Sequence, residues 1–209
     1  MFSRRRHLTV LGVTLAAALM CAVALAATMQ TYSQKFTTTH PGQATGMTLR
    51  WTTSHPARSR LVVQPKTVTL TFPNGTKIDT GAVGPGAKSK VGSGTAVFGV
   101  GTPARTVTVY SAGPGGIALV ISNPVGISYR LNAKYAHMGR ELVIPIPTFR
   151  IPPAVLTGLS LTIKGGSATR PYLRTPRTCP TGGWKFSAVF VYQGPPTEVL
   201  NSTSACVKR

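Results

Sequence analysis

The chain has 209 residues, of which 23 are Lys or Arg and only three are Asp or Glu, so its formal net charge is +20 at neutral pH. This length suits one domain with a substantial core, or two small domains. With so few carboxylates, the chain has few side chains that could act as a general acid or base. The positive charge instead favours anionic partners.

The N-terminal segment has the three parts of an export signal. Residues 4–6 are arginines, residues 8–26 carry no charge, and Ala24 and Ala26 supply the small side chains that a signal peptidase requires. We therefore predict a helical signal peptide over residues 1–26 with cleavage after Ala26. A retained transmembrane anchor is the alternative, because about twenty apolar residues can span a bilayer. The arginines suit the general secretory and the twin-arginine route equally.

The rest of the chain has the pattern of short strands. Residues 27–46 are rich in Thr and Gln and show little periodicity, so they are interpreted as a loosely ordered leader or a first edge strand. From Met47 onward, apolar and polar positions alternate between turns marked by Gly and Pro. Strands are predicted in the segments MTLRWTT, KTVTLTF, TAVFGV, RTVTVY, GIALVIS, GISYRL, ELVIPIP, GLSLTIKGG and KFSAVFVY.

Details of three segments refine the prediction. Val68, Leu70 and Phe72 share one face of their strand, and Pro-Asn-Gly then ends it with residues that favour a turn. Pro145 cannot donate to a ladder, so its strand lies at an edge or leaves the sheet there. The far half of KFSAVFVY is apolar on both faces, which places that strand in the middle of a sheet.

Many short strands predict an all-β fold. One open sheet of eight or more strands would leave a face uncovered, so we expect a two-layer antiparallel β-sandwich. The expected organisation is a signal helix, the leader, and a single sandwich domain over residues 47–209.

Export determines the role of the cysteines. Cys21 leaves with the signal peptide, so the mature chain holds only Cys179 and Cys206, and an even count in an oxidising compartment favours a disulfide. Closing this loop removes chain entropy worth roughly 3 to 3.5 kcal/mol and would staple a terminal hairpin. Two free thiols are the alternative. A zinc site is not expected, because two thiolates alone do not complete its ligand shell.

The positive charge has two interpretations. The Lys and Arg residues are dispersed without a run of five or six, which is typical of a solvated surface. The other interpretation is that the protein binds anionic envelope polymers or acidic lipid headgroups. Specific recognition of nucleic acid is not expected, and an uncleaved signal would be the only contact with the membrane. The densest basic cluster comprises Arg170, Tyr172, Arg174 and Arg177. We interpret it either as a contact site for a polyanion or as a connector stiffened by proline.

Catalytic motifs are absent from the sequence. The carboxylates are Asp79, Glu141 and Glu198, and no nucleophile elbow, zinc-protease helix or phosphate loop is present. The glycine-rich KVGSGTAVFGVG lacks the strand-loop-helix context of a nucleotide site, so it indicates a β-bulge or a tight turn. Trp51 and Trp184 are expected in the core.

These observations favour a non-enzymatic protein without catalytic residues, cofactor or metal site. His40 and His55 each precede a proline and look like exposed turn residues. An extracellular hydrolase or a carbohydrate-binding module is the alternative, and it would need convergent acids or an exposed aromatic strip.

Four blocks in this order resemble a group of uncharacterised secreted actinobacterial proteins over roughly residues 61–209: FPNGTKIDTGAV, KSKVGSGTAVFG, LTGLSLTIKG, and TPRTCPTGGWKFSAVFVY with a final STSAC. The most specific parts are residues 88–94 and the Cys-Pro and Trp-Lys-Phe of the last block. In the resembled group a cysteine pair often precedes the Ser-Lys-Val-Gly block, whereas this chain has Gly84 and Pro85 there. Because that group has no assigned activity, the resemblance implies only fold and location. Together with the composition, it leads us to expect an exported, basic protein of the bacterial cell envelope.

Overall fold

The computed structural model describes residues 29–54, 64–79, 89–99, 102–113, 115–122, 128–149, 155–166, 169–194 and 197–208. The predicted signal peptide, residues 1–26, lies outside these ranges. Within them 62% of the residues are in strands and no α-helix is present, so the all-β prediction is confirmed.

The described ranges contain thirteen strands and one short 3₁₀ turn at His137–Gly139. The strands are β1 (Met29–Phe36), β2 (Met47–Ser54), β3 (Thr67–Thr71), β4 (Lys77–Ile78), β5 (Lys90–Phe98), β6 (Arg105–Ser111), β7 (Gly116–Ser122), β8 (Ser128–Ala136), β9 (Glu141–Pro145), β10 (Leu156–Ile163), β11 (Leu173–Arg174), β12 (Trp184–Val191) and β13 (Thr197–Ser204).

Eleven of these strands form one sheet in the order β1-β2-β10-β5-β6-β7-β8-β9-β3-β12-β13, with every neighbouring pair antiparallel. The sheet curls until it nearly closes into a barrel. The expected two-layer sandwich is therefore not confirmed. Both architectures cover one face of every strand, so the same alternation of apolar and polar residues predicts either one.

The leader forms an ordered strand. Residues 29–36 are β1, which pairs with β2 along its whole length and lies beside β13. The large sheet therefore begins before residue 47. The strand that contains Pro145, β9, ends at this residue, where the chain leaves the sheet.

Hydroxyl groups join the two edges of the sheet. The Gln34 backbone N–H donates to Ser202 Oγ at 2.9 Å, and this hydroxyl donates to the Gln34 carbonyl at 3.0 Å. Two residues further along both strands, the Phe36 N–H donates to Ser204 Oγ at 3.1 Å. The equal steps show that β1 and β13 run parallel. Their backbones are therefore linked through serine side chains.

The inward-facing side chains fill the sheet as a continuous core. Trp51 and Trp184 are 0% and 1% exposed, as predicted. Edge-to-face ring contacts join strands that are distant in sequence: Phe36 packs on Trp184 with centroids 5.3 Å apart, and Trp51 packs on Phe190 at 5.8 Å. β12 has a strand on each side, as its two apolar faces predicted.

A small second sheet covers one end of the large one. β4 and β11 pair antiparallel, and the loop after β1 joins them through Thr45 N–H to the Leu173 carbonyl at 2.9 Å and Gly42 N–H to the Pro176 carbonyl at 2.9 Å. Leu173 is 2% exposed. We call this β4–β11 sheet with its loop the cap.

The predicted cysteine pair lies beside the cap. Cys179 and Cys206 are at disulfide distance, with their Cα atoms 5.6 Å apart, so the predicted pairing is confirmed. Cys179 precedes β12 and Cys206 follows β13, and Trp184 pairs with Ser204 in the hairpin between them. The bond therefore closes the free end of this hairpin.

The glycines of the Ser-Lys-Val-Gly-Ser-Gly block let β5 and β10 approach closely. A Cβ atom at Gly92 would lie 2.3 Å from the Thr162 carbonyl oxygen, and one at Gly94 would lie 1.9 Å from the Ser160 oxygen. The register of β5 against β6 also shifts between Lys90 and Gly92, as in the predicted bulge.

Replacing Gly94 should destabilise the sheet. We expect Gly94→Ala to lower the free energy of unfolding by about 1–3 kcal/mol, because the added methyl must displace backbone. Urea unfolding followed by tryptophan fluorescence measures this change. Gly115→Ala is the matched control, since a Cβ there meets nothing within 4 Å. Equal stability of the two variants would contradict the close-approach explanation.

Removing the cysteine bond should also lower stability. The double variant Cys179→Ala/Cys206→Ala is expected to lose roughly 3 kcal/mol of unfolding free energy, because its unfolded chain is no longer cross-linked. Urea unfolding with and without dithiothreitol checks this. The reductant should bring the unchanged protein to the level of the variant and leave the variant unaffected. A reductant effect of equal size on both proteins would refute the cross-link.

Candidate anion-binding groove

The turn after β3 positions one side of a groove next to the cap. The Thr76 N–H donates to the Pro73 carbonyl at 3.1 Å, which closes the predicted Pro-Asn-Gly turn. Gly75 has a φ of +86°, a conformation that glycine adopts without strain. A Cβ at Gly75 would lie 3.5 Å from Pro176 Cβ, so the turn rests directly on the segment that follows β11.

The groove brings together residues far apart in sequence. It is open, has a volume of about 380 Å³, and is lined by Asn74, Gly75, Lys77, Pro176, Arg177 and Thr178. Arg174 stands opposite Lys77 in the β4–β11 ladder, so a third cation adjoins it. Among these lining residues none is acidic. We call this site the basic groove.

The four residues of the predicted polyanion contact have separate positions. Arg177 is exposed and lines the basic groove, and Arg174 is half-buried beside it. Arg170 is exposed but is not among the lining residues of the groove. Tyr172 is 2% exposed and belongs to the core. Its ring is therefore not available to a ligand at the surface, and only the arginines of the predicted cluster can serve as contacts.

Tyr172 has a structural partner instead. Its hydroxyl is hydrogen-bonded to the hydroxyl of Tyr135 on β8, which ties the cap to the large sheet. Burial raises the pKa of the Tyr172 phenol, although its hydrogen bond to Tyr135 lowers that pKa in part. Burial, together with the neighbouring Tyr172, raises the pKa of Tyr135 well above its ordinary value. Both phenols therefore stay protonated and neutral at physiological pH.

Sequence reasoning missed Lys77. This residue directly follows the Pro-Asn-Gly-Thr turn, and the sequence marked that turn only as the end of a strand. Its pairing with Arg174 spans almost one hundred residues, and no local pattern indicates such a partner. The signal that was present is the basic residue immediately after a tight turn, a position where the side chain projects from the surface.

Two of the three carboxylates lie far apart and have different partners. Glu141 lies 3.5 Å from His137 Nε2, and Glu198 accepts a hydrogen bond from the Tyr192 hydroxyl at 3.1 Å. The strands β3 and β12 separate β9 from β13, so Glu141 and Glu198 lie three interstrand spacings apart, about 14 Å along the sheet. Asp79 donates its backbone N–H to the Tyr172 carbonyl in the cap. Glu141 and Glu198 therefore do not form a catalytic pair.

The histidines are dispersed as well. His40 is half-buried in the loop of the cap, His137 is exposed, and His55 lies outside the described residues. Within the described ranges, no three His, Cys, Asp or Glu side chains come together as a possible metal site. No helix in the same ranges has the length and apolar character to cross a membrane.

No protein-family model matches the chain, and neither a curated protein nor a solved structure is similar enough to match it. A function therefore has to be inferred from the sequence and from the geometry of the site.

Proposed function

We propose that this protein is an exported, basic, non-enzymatic component of the bacterial cell envelope that binds anionic envelope polymers through the basic groove. The single observation that carries the proposal is the convergence of Lys77, Arg174 and Arg177, from two distant parts of the chain, at one groove without an acidic lining residue. An N-terminal segment with the sequence pattern of an export signal, with predicted cleavage after Ala26, and a cysteine pair at disulfide distance support export.

The shape of the groove favours a polymer over a small molecule. Sites for small ligands enclose most of the surface of the ligand, whereas this groove is open. A polymer with repeated phosphate or carboxylate groups can cross an open groove and continue beyond it. Arg177 can hold such a group with two parallel hydrogen bonds, and Lys77 supplies a point charge.

The charge of the whole protein supports the same partner. Cleavage after Ala26 would remove three arginines and leave a formal net charge of +17, so the mature protein would attract polyanions over long distances and raise their concentration at its surface. This attraction does not select a site. The groove would then determine where the polymer is held, because the β4–β11 ladder places Lys77 and Arg174 side by side.

Loss of the groove cations should weaken polymer binding. We expect Lys77→Gln/Arg177→Gln to bind polyphosphate about fivefold more weakly, because two exposed ion pairs together contribute roughly 1 kcal/mol. Retention on immobilised polyphosphate, and on alginate as a carboxylate polymer, measures this over increasing NaCl. Elution should move to lower salt for the variant, and salt should weaken binding of every form.

A matched variant separates the groove from general charge. Arg50→Gln/Lys66→Gln removes the same two charges from exposed positions on β2 and before β3. It should elute close to the unchanged protein. Equal weakening by the two double variants would show that dispersed charge alone holds the polymer. Retention that ignores ionic strength would remove the electrostatic proposal altogether.

A further inference from the structure

The turn after β3 contains the only Asn-Gly pair of the sequence, Asn74-Gly75. Both residues are exposed, and both line the basic groove. Gly75 has a φ of +86°, Asn74 does not have a positive φ, and the hydrogen bond from Thr76 to Pro73 spans the two. These features are typical of a type II turn with Asn74 and Gly75 at its central positions. The peptide group that joins Asn74 to Gly75 therefore lies at the tip of the turn.

This peptide group is free of internal hydrogen bonds. Within the described ranges, the side-chain amide and the carbonyl of Asn74 and the N–H of Gly75 have no hydrogen-bond partner. The peptide group can therefore rotate without breaking a hydrogen bond of its own. Glycine also has no side chain that would shield its nitrogen. The Gly75 nitrogen and the Asn74 side chain are thus both accessible and able to approach each other.

The arrangement suits an attack of the Gly75 nitrogen on the preceding side chain. When a solvent base removes the proton of the Gly75 N–H, the nitrogen can bond to Asn74 Cγ. The Cγ–Nδ2 bond breaks, Nδ2 takes up a proton from water and leaves as ammonia, and a succinimide ring remains. Water then opens this ring to aspartate or to isoaspartate. The net reaction consumes water and replaces an amide by a carboxylate, without an oxidant or another reagent.

We propose that Asn74 is a site of spontaneous deamidation, which gives the basic groove a negative charge and lowers its affinity for polyanions as the protein ages. The reaction itself depends only on the turn. Its effect on binding rests on the proposed function of the groove. The modification would act as a timer within the binding site, because newly exported protein would bind the polymer more tightly than old protein.

The new carboxylate would lie among the cations assigned to the polymer. Asn74 lines the same groove as Lys77 and Arg177, and none of the lining residues is acidic before the reaction. A carboxylate there can pair with one of these cations and repels the phosphate or carboxylate groups of the ligand. Isoaspartate also adds a methylene to the backbone of a turn that rests on Pro176. Both products would therefore weaken polymer binding.

Peptide mapping of the aged protein measures the reaction. The full protein is incubated at neutral and at mildly alkaline pH, then denatured, reduced and digested with trypsin, which releases residues 67–77 with Asn74 as their only asparagine. We expect this peptide to convert to aspartate and isoaspartate forms, which chromatography separates and mass spectrometry identifies. The rate should rise with the hydroxide concentration, because the attacking nitrogen must first lose its proton. Isoaspartate is the decisive product, since direct hydrolysis of the amide yields only aspartate.

Asn201 is the internal control in the same digest. It lies on β13 opposite Ser187 and precedes Ser202, and trypsin releases it within residues 186–208. We expect Asn201 to react about tenfold more slowly than Asn74, because strand pairing restrains its backbone. Residues 67–77 without isoaspartate, or equal rates at the two asparagines, would overturn the modification site.

Variants show the effect of the new charge on binding. Asn74→Asp should bind immobilised polyphosphate about fivefold more weakly than the unchanged protein. Asn201→Asp adds the same charge at an exposed position outside the groove and should elute close to the unchanged protein. Asn74→Gln, whose longer side chain cannot form the succinimide, should keep its retention on ageing, whereas the unchanged protein should lose retention as residues 67–77 convert. Equal elution of the two aspartate variants would overturn the regulation.

The outcomes separate this inference from the proposed function. If the unchanged protein does not bind polyphosphate in a salt-dependent way, the proposed function and its regulation both fail, while isoaspartate at Asn74 still decides the modification site. If binding depends on salt and Asn74 does not deamidate, the proposed function stands and this inference fails.

Discussion

An antiparallel sheet with an odd number of strands cannot close on itself with an antiparallel pair. Neighbouring strands alternate in direction, so the first and the eleventh strands point the same way when the edges meet. The protein brings β1 and β13 together parallel and joins them through Ser202 and Ser204. These hydroxyls satisfy the Gln34 and Phe36 N–H groups that would otherwise lie unpaired at an edge. The nearly closed shape of the sheet follows from this contact between β1 and β13, which we call the seam.

Because the sheet nearly closes on itself, the candidate binding site lies at one of its ends and not along its wall. The walls are paired strands, and the inward-facing side chains of the described residues form a continuous core. At one end the cap carries the basic groove, built from two connecting segments that the β4–β11 ladder holds in place. At the other end the guanidinium of Arg105 lies over the Phe98 ring. In the proposed function, the groove holds an extended polyanion. Paired strands position its lining residues, as is usual for binding residues on connecting segments.

Local features of the sequence predicted local features of the structure. The alternation of Val68, Leu70 and Phe72, the Pro-Asn-Gly turn, and the cysteine pair each depend on near neighbours or on simple counting. β1 lacks an apolar pattern, because its inward side chains are Gln30, Tyr32, Gln34 and Phe36. Its polar inward side chains form hydrogen bonds instead: Gln30 Nε2 donates to the Tyr192 hydroxyl at 2.9 Å. The choice between sandwich and barrel, the burial of Tyr172, and the pairing of Lys77 with Arg174 depend on contacts between distant segments, which no local pattern encodes.

The seam can be observed directly in solution. Nuclear Overhauser effects between β1 and β13 should connect Gln34 with Ser202 and Phe36 with Ser204, in parallel register. The amide protons of Gln34 and Phe36 should exchange with solvent as slowly as those of the central strands, because both are hydrogen-bonded inside the closed sheet. Contacts in antiparallel register, or rapid exchange at both amides with no contact between the two strands, would contradict the closed arrangement on which this account of the protein rests.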